Sequence, residues 1–275
     1  CAHVGSGARM TPARGFATLL LAAAAQPVAA ERIAIPFAPP VGQQLAYDID
    51  QHRPIAGQDS RFSAHRTVRF ERVGDGYQLY AVLRSLDSDA SDAAAASFRA
   101  ALTPLIGVEM RFHLDSQGKI IALDDDEAVW SAVEHGLETM MAQFAPDTPR
   151  HRAAQSVRTL FDGLARDGRL ALLAGEYQPL FLFAASEVED GAHGRGVRTM
   201  AGSPLGRPVP VEGVLTLQGR VADGLSLTET LAGPGVDVQM DYNVSPVSGL
   251  VTRQGRTLTV GTRTLTEKRV LRPAP

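Results

Sequence analysis

From residue 44 onward, apolar and polar positions alternate. In "QLAYDIDQHRP" Leu45, Tyr47 and Ile49 are separated by polar neighbours; in "HRTVRFERV" Val68, Phe70 and, after a polar pair, Val73 repeat the scheme; in "GYQLYAVLRSL" it passes to Tyr77, Leu79, Ala81 and Leu83. A period of two places successive side chains on opposite faces of a strand, so each run predicts a strand with one buried face. Gly74-Asp75-Gly76 separates the second run from the third and suits a short hairpin, because glycine accepts positive φ. The stretch "VEMRFHLDSQGKIIAL" gives a second hairpin, with Met110, Phe112 and Leu114 on one face, a turn at Asp115-Ser116-Gln117-Gly118, and Ile120 in the returning strand.

At Asp124 the period changes. Val129, Trp130, Val133, Leu137, Met140, Met141 and Phe144 recur at spacings of three and four, which predicts a helix ending near Pro146. Thr148-Pro149 then announces a second helix, a cap residue followed by proline at the first helical position, continued by Ala153, Val157, Leu160, Phe161 and Leu164. A shorter helix is expected from about Asp92 to Leu102 in the Ala-rich stretch. "LALLAGEYQPLFLFAA", Leu170 to Ala185, fits either a helix broken at Pro179 or a buried strand.

Flanking segments complete the outline. "ERIAIPFAPPVGQQ" carries Pro36, Pro39 and Pro40 and reads as an extended lead-in. The tail returns to strands in "GRPVPVEGVLTLQGRV", "GLSLTETL", "VDVQMDYNVSP", "SGLVTRQGRTLTV" and "TRTLTEKRVLR". Strands before and after helices predict an α+β protein: a curved, half-barrel-like antiparallel sheet with an inserted helical hairpin at about 124–166, within a single domain over 31–275. Two β-rich halves around that hairpin are the alternative.

Composition narrows the partners. The 275 residues are 44% hydrophobic and 21% charged, with a net charge of -3 and only 6% aromatics, which gives no reason to expect nucleic acid. The segment from Met10, "MTPARGFATLLLAAAAQPVAAERIAIP", has a basic start at Arg14, an apolar run from Phe16 to Ala25, and small residues before Glu31. It predicts a secretory signal peptide cleaved after Ala30, with residues 1–9 upstream of the true start, and hence a periplasmic or secreted protein. The apolar run is shorter than the roughly 20 residues that span a bilayer, and no later segment reaches that length. Cys1 is the only cysteine, so the exported chain would carry neither disulfide nor thiol chemistry.

Candidate chemistry lies in Asp124 to Glu127, flanked by His113 and His135. As a helix start every acid has a structural role: Asp124 as N-cap, Glu127 as the reciprocal half of a capping box, and Asp125 and Asp126 at the positive end of the helix dipole. Contiguous acids do not match a calcium loop, which alternates its ligands around a glycine. None of the seven histidines shows zinc-helix spacing. Ser116-Gln117-Gly118-Lys119 matches the S-x-x-K string of penicillin-binding enzymes by letter but sits in a hairpin turn. "GAHGRG", Gly191 to Gly196, lacks the Lys-Ser/Thr of a phosphate loop. No catalytic residue, metal or cofactor is assigned.

The signal segment, the strand "GYQLYAVL", the hairpin "FHLDSQGKIIAL" with its Gly118 and the later "YNVSPVSGLVTR" with Gly249 resemble exported bacterial β-rich proteins of uncharacterised role. More distantly the order of features is similar to that of the periplasmic lipoprotein carriers LolA and LolB. That resemblance implies a concave sheet, covered by helices, able to hold something apolar. The expected role is therefore non-enzymatic binding of a lipid-like ligand or an envelope protein, with Trp130, Met140, Met141, Phe144 and Phe161 as candidate ligand contacts, since Met-rich surfaces adapt to apolar partners. An exported hydrolase with a site assembled from distant acids and histidines is the second reading.

Overall fold

The computed structural model describes residues 31–55, 57–190, 194–201, 208–222 and 224–275. The predicted signal segment, with residues 1–9, and residues 191–193 of the glycine-rich loop lie outside the described residues.

Thirteen strands are present among the described residues: β1 (Glu31–Ile35), β2 (Gln44–Ile55), β3 (Gln58–Val73), β4 (Gly76–Ser88), β5 (Glu109–Leu114), β6 (Ile120–Leu123), β7 (Ser186–Asp190), β8 (Arg195–Ala201), β9 (Val209–Val221), β10 (Gly224–Gly233), β11 (Val236–Val244), β12 (Val251–Val260) and β13 (Arg263–Pro273). Four helices join them: α1 (Asp92–Leu102), α2 (Asp126–Met141), α3 (Pro149–Asp162) and α4 (Arg166–Ala174), with 3-10 turns at Thr103–Leu105 and Gln178–Phe181. Eleven strands form one antiparallel sheet in the order β6-β5-β4-β3-β2-β13-β12-β11-β10-β9-β8. It is curved, and its end strands do not pair, so it stays open like a half-barrel. A separate ribbon pairs β1 with β7.

The α+β architecture follows from the alternation. Tyr47, Phe70, Leu79 and Phe112 point to one face, hereafter the inner face, and are essentially inaccessible to solvent. Ala174 at the end of α4, then Tyr177, Leu180 and Phe181, pack onto them. Farther along the same face, Ile33, Ile35, Phe183 and Val188 from the ribbon side cover Leu215, Leu227 and Tyr242. A third apolar cluster, around Val211, Leu231 and Val238, lies beyond. The core thus sits on the inner face, under helices at one end and under the ribbon at the other.

Several boundaries depart from expectation, each for a local reason. The backbone N–H of Asp124 still bonds to the Arg111 carbonyl at 2.9 Å, so the hairpin ends one residue later than expected. Asp125, at φ 49°, is the residue before the helix, and it makes no side-chain cap bond. The expected capping box is therefore absent: Asp124 accepts from Gln78 Nε2 at 2.8 Å and pairs with His113 at 2.7 Å, Asp126 pairs with Arg166, and Glu127 with Arg169. Thr148 does cap α3, accepting from the His151 N–H at 3.1 Å. The helical segment continues beyond 166 through α4 and the turn at Gln178–Phe181, which settles the ambiguous stretch as helical up to Phe181. α2 crosses α1 closely at Gly136, where a Cβ would stand 2.2 Å from the Ala101 carbonyl oxygen.

Candidate functional site

Cross-strand register assembles a polar band across the inner face. Tyr47 lies opposite Arg66 on β3 and Leu271 on β13; Ile49 lies opposite Arg269; Gln51 lies opposite Glu267; Glu267 and Arg269 lie opposite Arg256 and Gln254 on β12. Residues at these positions share a face because the strand period is two. The band is therefore encoded as polar residues at inward positions of strands that otherwise read as apolar. Sequence alternation alone treats such residues as exceptions, so it did not find them.

Arg269 is the hub. Its Nε donates to Glu267 Oε1 at 2.6 Å, and its Nη1 donates to the Tyr47 hydroxyl at 3.0 Å and to the backbone carbonyl of Glu176 at 2.8 Å. Gln51 Nε2 donates to the other oxygen of Glu267 at 2.6 Å. Glu176, just past α4, also pairs with Arg66 at 3.3 Å. Arg66, Gln254 and Glu267 are all buried. Burial alone would raise the Glu267 pKa, but the charge and hydrogen bonds of Arg269, with the Gln51 bond, hold it below its ordinary value. Burial would likewise lower that of Arg269, yet Tyr47, Glu176 and Glu267 push it up. Desolvation raises the Tyr47 hydroxyl to about 12, against the opposing pull of Arg269.

The network is matched within itself at Arg66, Arg269, Glu176 and Glu267. It ties the end of α4 to the centre of the sheet, and the Arg269 guanidinium meets a carbonyl just past the helix C-terminus, where a cation is favoured. Nearby polar groups are not matched. The Oε1 of Gln254 and the Nε of Arg53 are buried without a hydrogen-bond partner among the described residues.

One cavity borders this band, and a groove lies farther along the inner face. Under α4, an apolar cavity of about 100 Å³ is lined by Leu83, Leu102, Leu105, Met110, Leu172 and Leu173, with Arg66, Glu176 and Tyr177 completing its wall. On the other side, between the ribbon and β9 and β10, a groove of about 480 Å³ has Val188, Leu215, Leu217 and Leu227 as its apolar lining and Arg32, Glu187, Glu189 and Arg195 around them. The groove, unlike the cavity, falls in the range of roughly 300–1,000 Å³ usual for small-molecule sites, as does a space of about 320 Å³ whose lining includes Tyr242, Gln254, Arg256 and Glu267. A depression of about 550 Å³ at the β8 end, with Arg198, Met200 and Pro234, opens at the sheet edge away from the charged band.

The residues predicted as ligand contacts lie elsewhere. Trp130 is buried, its ring 5.5 Å from that of Phe161 and under the Arg169 guanidinium at 5.0 Å. Met140 and Met141 end α2, and Phe144 follows it; all three are half-buried, as is Phe161. None of the five lines the groove or the cavity.

Acids and histidines do meet, on the opposite face of the sheet. His113 pairs with Asp124, His65 with Asp48 at 2.9 Å, and His52 with Asp59 at 3.3 Å. None of these pairs borders the groove or the cavity, and no group of metal-ligating side chains is assembled among the described residues.

No protein-family model and no curated protein matches the chain. Among solved structures it is similar to one titled "Lipid-protein interactions in lipovitellin", at 11% identity and a TM-score of 0.38, over 85% of this chain and 25% of that one. The chain thus spans a quarter of the length of the protein it overlays.

Proposed function

We propose that this is an exported, non-enzymatic binding protein that holds a lipid-like ligand on the inner face of its sheet. The observation that carries this reading is the groove of about 480 Å³ whose lining includes Val188, Leu215, Leu217 and Leu227, which is large enough for a small amphiphile. Small-molecule sites set placed polar groups, here Arg32, Glu187, Glu189 and Arg195, around an apolar lining whose removal from water supplies affinity. Native mass spectrometry of protein purified from its own envelope should show co-purifying lipid, and a fluorescent fatty acid should bind. L217E, which puts a charge in the groove, should weaken that binding at least tenfold while the far-ultraviolet circular dichroism is unchanged. A clean unliganded mass together with no fatty-acid binding overturns the reading.

A further inference from the structure

The cavity under α4 has apolar sides and one polar wall, made by Arg66, Glu176 and Tyr177. Tyr177, just past α4, is 1% exposed, and its hydroxyl has no hydrogen-bond partner among the described residues. Its neighbour Tyr47, with ring centroids 6.2 Å apart, is served on both sides: it donates to the Glu176 carbonyl at 3.3 Å and accepts from Arg269. Burial pushes the Tyr177 hydroxyl up, so it stays protonated and is a donor. The charge of Arg66 pulls the other way, but a guanidinium can only donate, so the Tyr177 proton is left without an acceptor. The Glu176 carboxylate is taken up by Arg66 and Arg269, each at 3.3 Å.

A buried donor without an acceptor is costly. Water in the cavity would satisfy it while wetting the leucines and Met110 of the other walls; an acceptor oxygen on a hydrocarbon body meets both surfaces. The charges of the polar wall are matched to one another, which favours a neutral occupant over an ion. At about 100 Å³ the cavity is smaller than the roughly 150 Å³ apolar cavity that admits benzene, so the body is short. We propose that this cavity is a second binding site, separate from the groove, for a small neutral molecule whose short hydrocarbon body carries one acceptor oxygen, as in a ketone, an aldehyde or an alcohol. The Tyr177 hydroxyl donates to that oxygen, and Leu83, Leu105, Met110 and Leu172 enclose the body.

Three probes of nearly one shape test it on the whole purified chain: butan-2-one; 2-methylbut-1-ene, which has a methylene in place of the oxygen; and propanoate, which has an anionic oxygen in place of a methyl. Binding is read by nuclear magnetic resonance from the Met110 methyl. Butan-2-one should give a saturable shift that L172F, which fills the cavity, removes. Y177F should weaken the ketone at least fivefold and leave the alkene's affinity unchanged. The carbonyl carbon of bound, labelled butan-2-one should keep the shift it has in water; this reading needs no variant and stands even where Y177F does not fold. An upfield move to the value in hydrocarbon, a ketone affinity unchanged in Y177F, or propanoate binding as tightly as the ketone overturns the site as described. No saturable shift with any probe means that the cavity holds water only, and overturns it outright. Fatty-acid binding in the groove is measured separately, so each of these results leaves that reading standing.

Discussion

At the scale of single residues, the inner-face network is the feature with the largest expected consequences. Removing one partner of a buried pair leaves the other charge uncompensated, at about 3–5 kcal/mol. R269M should therefore lower stability by about that amount in chemical denaturation, because it takes the arginine from the buried Glu267, while Glu176 keeps Arg66. The pH dependence has a definite sign. A carboxyl whose folded pKa is depressed contributes stability above its unfolded value and loses it as pH falls through the folded one. Glu267 is depressed from 4.5, so E267Q should flatten the fall in stability as pH drops below 4.5, measured as denaturation midpoint against pH. Tyr47 runs the other way: raised from 10.0 to about 12, it contributes stability below pH 10 that is lost as pH rises through 12. Y47F should abolish that part of the alkaline loss. None of this band was legible beforehand, because Arg66, Glu267 and Arg269 look like ordinary wet-face residues until register shows them beside Tyr47 and Gln51.

At the scale of elements, the hairpins, α1 and the start of α3 were readable, since each is specified by its neighbours in sequence. T148A removes the acceptor for the His151 N–H and should cost about 1 kcal/mol, seen as an earlier denaturation midpoint. The pairing of β1 with β7 was not readable. Its partners are joined only after the chain has passed through five further strands and four helices, and neither β1 nor β7 is longer than five residues. What fixes the lead-in is a close contact: Gly249, at φ 74°, has its missing Cβ position 1.8 Å from the Pro36 carbonyl oxygen, and the Ala38 N–H donates to the Ser248 carbonyl at 3.0 Å. G249A meets both a left-handed backbone and a backbone clash. It should destabilise by more than the roughly 1 kcal/mol of conformational strain alone, with faster amide exchange at Ala38 as the local sign. The acids after β6 teach the same lesson. Their number suggested a cap, but the helix takes up its first turn without one, and their carboxylates reach across to Gln78, His113, Arg166 and Arg169 instead.

At the scale of the whole molecule, the question is whether helices and sheet unfold together. The first strands after the lead-in and the last strand are neighbours, β2 beside β13, so the sheet cannot be divided into an early and a late half without breaking its centre. The helical segment is bound to that centre in two ways: Ala174, Tyr177 and Leu180 share a core with Tyr47, Phe70 and Leu271, and Glu176 is held by Arg66 and Arg269. Trp130, the only tryptophan, sits apart from this junction, between α2, Phe161 of α3 and Arg169 of α4. Its fluorescence therefore reports the helices, while circular dichroism in the far ultraviolet is dominated by both the sheet and the helices, and tyrosine absorbance reports all five tyrosines, four of them on the sheet (Tyr47, Tyr77, Tyr80 and Tyr242). If the junction couples the layers, all three signals should change at one denaturant concentration. In R66M, which removes one of the two arginines holding Glu176, the tryptophan transition should move to lower denaturant ahead of the tyrosine transition. Coincident curves in that variant would mean that Arg269 and the apolar packing of Ala174, Tyr177 and Leu180 couple helices to sheet without Arg66.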